Sequence, residues 1–119
     1  MVIVNNDPPN INQIKTYFAP KKGTIYSYGS VIYNPDNIEI DLPLAAHEEV
    51  HWEQQKEIGM EKWWDRYCKE KAFRLSQEVS AFQAQFLEGK RLIKDKNRLM
   101  RWLDVLAREL SGEMYGNIL

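Results

Sequence analysis

The chain has 119 residues, 44% hydrophobic and 28% charged, with a formal net charge of -1. That size supports one core and leaves no room for a second lobe, so a single domain over residues 1 to 119 is expected. The near-balanced charge gives no case for a nucleic-acid or membrane partner, and one cysteine, Cys68, excludes an internal disulfide framework.

The N-terminal stretch MVIVNNDPPN has no basic leader, and its apolar run is too short for a signal segment or a spanning helix. A cytoplasmic protein is the expectation. The first forty residues read as loop and strand. NNDPPN and APKKG are breaker clusters, whereas TIYSYGSVIY is rich in β-branched and aromatic residues and is followed by NPDN and IEIDL. A small hairpin or pair of strands is expected here, with Gly29 at a bulge or a point of close backbone approach.

From Asp41 the pattern turns helical. DLPLAAHEEVHWEQQKEIG has Asp and Pro at its start and Gly59 at its end, which is sound helix punctuation. A second helical stretch runs from Met60 to Gly89, with a kink or break near its middle. A third begins near Asn97 and carries Leu99, Trp102, Leu103, Leu106 and Leu110 as a core-facing stripe. The expected class is α+β, a small sheet or hairpin packed on three to four helices.

Both histidines of the chain lie in LAAHEEVHWEQQ. At about 100° per residue, His47 and His51 stand one turn apart on the same face, so both imidazoles reach one ion. Glu48 flanks that face, close enough to act on a metal-bound water without being a ligand. This is the mechanical content of His-Glu-x-x-His, two zinc ligands and a general base. Leu44, Gln55 and Ile58 share the side of the histidines, which turns the face inward.

A catalytic zinc site takes a third protein ligand and keeps one open position. Glu57 stands six residues after His51, but a continuing helix turns it to the opposite side, and Gln54 occupies the place where a glycine would reverse the chain. Glu78 is the stronger candidate, a carboxylate on an otherwise largely apolar stripe with Leu75, Phe82 and Gln85. Its competing reading is a rim glutamate bonded to Arg74 or solvent. Asp65, Glu70 and Cys68 are further alternatives. Trp63, Trp64 and Tyr67 are expected in the core beside the motif helix, and the basic KRLIKDKNRLMR is expected to be a solvated helix junction.

HEEVHWEQQ, followed 27 residues after His51 by EVSAF, resembles the gluzincin arrangement of zincin-like metallopeptidases. It is similar in particular to the small single-domain zincin-like proteins of bacteriophages and prophages. The likeness spans residues 24 to 116. It implies a minimal zincin-like domain in which His47, His51 and Glu78 hold Zn2+ and Glu48 activates water. It also implies an extended peptide or protein substrate pairing with an edge strand in TIYSYGSVIY, and a phage-infected bacterial host. The larger gluzincins have a second lobe that this chain lacks, so a protein partner completing the cleft is a further expectation. Tyr67, Tyr115, Tyr26 and Tyr28 are all candidates for an oxyanion donor.

Three functions follow as expectations of different classes. The first is a zinc-dependent peptidase with Glu48 as general base. The second is a helical interaction module whose zinc is structural or vestigial, with a closed four-ligand shell. The third is a metal-free adaptor using the Leu/Trp stripe.

Overall fold

The computed structural model describes residues 1–110. Three short strands and five helices follow one another: β1 (Val2–Val4), α1 (Ile11–Tyr17), β2 (Tyr26–Tyr28), β3 (Val31–Tyr33), α2 (Leu42–Ile58), α3 (Met60–Lys69), α4 (Lys71–Leu92) and α5 (Lys96–Leu110). The class is α+β, as the sequence pattern implies.

The hairpin lies wholly within TIYSYGSVIY. Tyr26 pairs with Tyr33 and Tyr28 with Val31 in antiparallel register, joined by Gly29–Ser30. Gly29 has φ 64 and Ser30 does not share the positive φ, the pattern of a type II′ turn. The glycine is also a point of close approach. Its N–H donates to Gln55 Oε1 at 2.8 Å, and a Cβ there would meet Met60 Sδ at 2.7 Å.

Two expectations for the first forty residues are corrected. IEIDL is not a strand. β1 pairs in parallel with β3, Ile3 opposite Ile32, so β3 has both edges occupied and offers nothing to a further segment. The Asn34 side chain instead binds both the N–H and the carbonyl of Ile38 and folds residues 34 to 38 into a turn. The second correction is α1, a helix where loop was expected. Seven residues are too few for periodicity to show, and what secures them is Ile14, fully buried in an aromatic cluster with Tyr26, Trp63, Trp64, Tyr67 and Cys68.

α2 begins as its punctuation requires. Asp41 accepts the Leu44 N–H at 2.9 Å, Pro43 occupies the first turn, and Gly59 (φ 92) closes the helix. The second helical stretch breaks at Glu70 into α3 and α4, and α4 continues through Gly89 to Leu92. Gly89 is no helix stop. It is the spot on α4 where Trp102 of α5 rests, and a Cβ there would sit 2.1 Å from the indole ring. Leu106 of the α5 stripe is buried, while Leu99, Trp102 and Leu103 are half-buried. The segment KRLIKDKNRLMR is largely exposed and spans the α4–α5 junction. Among the described residues, no helix is long and apolar enough to cross a membrane.

Candidate metal centre

The buried side of α2 is unusual in what it contains. Pro43, His47, Glu48, His51 and Gln55 form it, so α2 turns polar groups, not aliphatic ones, toward the interior. Such burial is unfavourable unless each group finds a partner. The histidines find theirs on α4, whose buried residues are Arg74, Glu78, Ala81, Phe82, Gln85 and Gly89, and Glu48 and Gln55 find theirs on Ser27 and Gly29 of the hairpin.

His47, His51 and Glu78 converge. Glu78 Oε1 lies 3.2 Å from His47 Nε2 and 2.6 Å from His51 Nε2, with all three side chains buried. The three residues each offer one ligand atom within 4.8 Å of the others. The far side of each ring is held by a glutamine. His47 Nδ1 meets Gln85 Oε1 and His51 Nδ1 meets Gln54 Oε1, both at 2.9 Å. Gln54 spends its amide N–H on the Gln77 carbonyl, which fixes its oxygen toward the imidazole. With each Nδ1 directed outward at a glutamine oxygen, the Nε2 of each ring faces the centre.

The result is a concentration of lone pairs with too few protons. Glu78 Oε1 is buried and faces the two imidazole nitrogens, so any proton it accepts must come from them. Among the described residues no lysine or arginine pairs with Glu78 or Glu48. Burial alone would lower the His51 imidazole, but the Glu78 carboxylate outweighs it and pushes His51 up to about 9. Burial would likewise raise Glu78, and the two imidazoles outweigh that, holding its carboxyl well below the usual range. In the metal-free protein a proton answers this demand. Two imidazole nitrogens and one carboxylate oxygen, aimed at one point, are also a donor set that can hold a metal ion.

Glu48 is adjacent but separate from this donor set. Its Oε2 and its main-chain carbonyl both accept from Ser27 Oγ at 3.2 Å. Burial pushes its carboxyl above the ordinary range, with His47 and His51 pulling the other way. Glu48 and His47 line a cleft of about 820 Å³ whose walls are residues 17 to 25, α4 and α5.

The rival ligands are elsewhere. Glu57 is exposed because α2 continues past His51 to Ile58. Asp65 pairs with Lys69 and Glu70 with Arg66 on the surface. Cys68 belongs to the aromatic core. The rim reading of Glu78 is overturned, since Arg74 donates to the carbonyls of Tyr67 and Cys68, not to Glu78. Trp63, Trp64 and Tyr67 are buried as expected, with Trp63 stacked on Tyr67 at 4.9 Å.

Residues that periodicity did not single out hold the site together. Tyr67 Oη donates to Glu78 Oε2 at 2.7 Å, so this tyrosine orients a candidate ligand and is not a free oxyanion donor. Tyr26 is buried, with Asp7 and Asp36 nearby in charge. Tyr115 lies outside the described residues. The edge of β2 is partly taken as well, because the Ser27 carbonyl accepts from Gln55 Nε2 at 2.9 Å and Trp64 Nε1 at 3.0 Å. Residues 23 to 25 line the cleft, but the Gly23 N–H already donates to Asp36 Oδ2 and the Thr24 N–H to the Lys21 carbonyl.

Fold and site together define a small α+β domain with a buried pair of histidines and a glutamate that can hold a metal ion. No family model, curated protein or solved structure matches this chain.

Proposed function

We propose that this protein is a zinc-dependent hydrolase of peptide bonds. The observation that carries this reading is the placement of Glu48, a buried carboxylate on the cleft wall one residue from His47 and outside the donor set that Glu78 completes. A site built only to hold a metal has no use for a second buried carboxylate beside it, and such burial is costly. The donor set, two nitrogens and one oxygen, suits zinc and leaves a fourth position for water.

Zinc bound by His47, His51 and Glu78 would supply a Lewis acid that polarises the substrate carbonyl and acidifies water toward a pKa of about 7. Glu48 takes the proton of the attacking water and returns it to the leaving amine. A carboxylate raised by burial is a better base than one in water, and the Ser27 hydroxyl holds its orientation. Gln85 and Gln54 keep both imidazoles in the tautomer that leaves Nε2 free.

The test is hydrolysis of a mixed peptide library. Zinc-loaded protein is expected to cleave it, metal-stripped protein to leave it intact, and re-addition of zinc to restore cleavage. Cleavage that survives complete metal removal would overturn the reading.

A further inference from the structure

Arg74 is the unexplained charge of this molecule. It lines the cleft that holds His47 and Glu48, yet it is 9% exposed. Among the described residues only Nη1 is hydrogen-bonded, donating to the Tyr67 carbonyl at 2.7 Å and to the Cys68 carbonyl at 3.5 Å. Nε is buried with no hydrogen-bond partner, and Nη2 has none among the described residues. No carboxylate of the described chain pairs with the guanidinium, which lies 5.1 Å from the Phe18 ring centroid and 6.0 Å from that of Tyr67.

Capping the end of α3 accounts for one nitrogen of three. A lysine does as much with a single donor, and burying an arginine's charge without an anion is costly. The two free nitrogens, Nε and Nη2, are the pair that a guanidinium uses to grip a carboxylate with two parallel bonds. Lys21 and Lys22 line the cleft on the side of residues 17 to 25, whereas on the α5 wall Arg108 is paired with Asp104 and Glu109 adds a carboxylate. Position adds the last element. Arg74 lies one helical turn before Glu78 on α4, so their Cβ atoms are about 6 Å apart, a span that one or two residues of extended peptide cover at roughly 3.3 Å each.

We propose that Arg74 is the specificity residue of the cleft, gripping a carboxylate of the peptide one or two residues from the bond held at the metal centre. This rests on the hydrolase reading for the identity of the ligand. The carboxylate has two sources, the C-terminal α-carboxylate of a short peptide or the side chain of an internal Asp or Glu. Hydrophobic contact with Phe18 and Phe82, on the same walls, serves the neighbouring residue.

The experiment follows the side-chain Nε–H signal of Arg74 by NMR in the 119-residue chain, with and without zinc, the signal being assigned by through-bond correlation to the Arg74 backbone. Three probes are titrated: acetyl-Ala-Ala-Ala, its C-terminal amide, and acetyl-Ala-Glu-Ala amide. A saturable shift with the free acid but not the amide supports the proposal and selects the terminal carboxylate. A shift with the glutamate peptide alone supports it and selects the side chain. Equal shifts with all three, or none with any, overturn it and leave Arg74 as a helix cap. Arg74→Lys, which keeps the charge and loses the fork, is expected to weaken binding of the responsive peptide at least about 10-fold. The wild-type titration stands whether or not that variant folds. Saturable, carboxylate-dependent binding with zinc present and no turnover sinks the hydrolase reading alone. Turnover with an unmoved Arg74 signal sinks this proposal alone.

Discussion

The Tyr67 hydroxyl donates to Glu78 Oε2 at 2.7 Å while Glu78 Oε1 faces both histidines, so one carboxylate is anchored on one oxygen and free on the other. Removing the anchor loosens the free oxygen. Tyr67→Phe keeps the ring stack on Trp63 and is expected to weaken zinc affinity by about 10- to 100-fold, the usual scale for a partner that orients a ligand. Competition with a chromogenic chelator measures it, and unchanged affinity would show that packing alone holds Glu78.

His47→Ala, His51→Ala and Glu78→Gln are each expected to lower zinc content well below about one per chain, because each deletes one of three donors. Glu57→Gln and Asp65→Asn are the controls, being outside the site. In the wild type, zinc should also raise Tm and a chelator should reverse the gain, since an ion bound only by the folded state adds its binding energy to stability. Elemental analysis showing full zinc in both histidine variants would end the metal assignment.

Glu48→Gln separates holding a metal from using it. The amide is the same size and still bonds to Ser27, so fold and zinc content are expected to stay. Peptide hydrolysis should fall by about 10² to 10⁴ in kcat, the range for loss of a general base. Equal cleavage by variant and wild type would remove Glu48 from the chemistry.

Gly89→Ala tests the seat of α5. Alanine gains about 1 kcal/mol of helix propensity over glycine, but the new methyl overlaps the Trp102 ring, and overpacking costs about 1–3 kcal/mol. Net destabilisation is expected, and Gly89→Ala should turn stabilising when Trp102 is replaced by Ala. Urea unfolding of the four proteins of this cycle reads the coupling.

Cys68 should be a poor nucleophile. Burial pushes its thiol up to about 11 from an ordinary 9.0, and Asp65 adds to this against Arg74 and Lys69. Alkylation by iodoacetamide at pH 8 is expected to be far slower in the native protein than in urea. The unfolded chain loses this proton first as pH rises, so the thiol's contribution to stability is complete below pH 9 and declines as pH climbs through 9 toward 11. Rapid native alkylation would show an open path to the thiol.

Much of the site was legible from residue order alone. The i, i+4 spacing of His47 and His51 puts two imidazoles on one face of any helix, and Asp41, Pro43 and Gly59 mark that helix. Glu78 stood out as a carboxylate on an apolar stripe. These are local properties, set by a 3.6-residue period and by capping chemistry. Which nitrogen of each ring faces the centre depends on Gln54 and Gln85, and Gln85 reaches His47 only because α4 lies against α2. Tyr67 was readable as a core aromatic, but its bond to Glu78 requires the break at Glu70 that folds α3 back on α4. The parallel pairing of β1 with β3, and with it the failure of IEIDL to form a strand, joins residues about 29 apart through strands of three residues, too short to carry a pattern of their own. Arg74 read as one more charge on a charged helix, and only the packing of Phe18, Tyr67 and α3 around it left a guanidinium that no anion among the described residues pairs with, in the wall of a cleft. Sequence determined which groups can do chemistry on each helix. Tertiary contact decided which of them meet, because the partners of a buried polar group come from whatever element lies across from it.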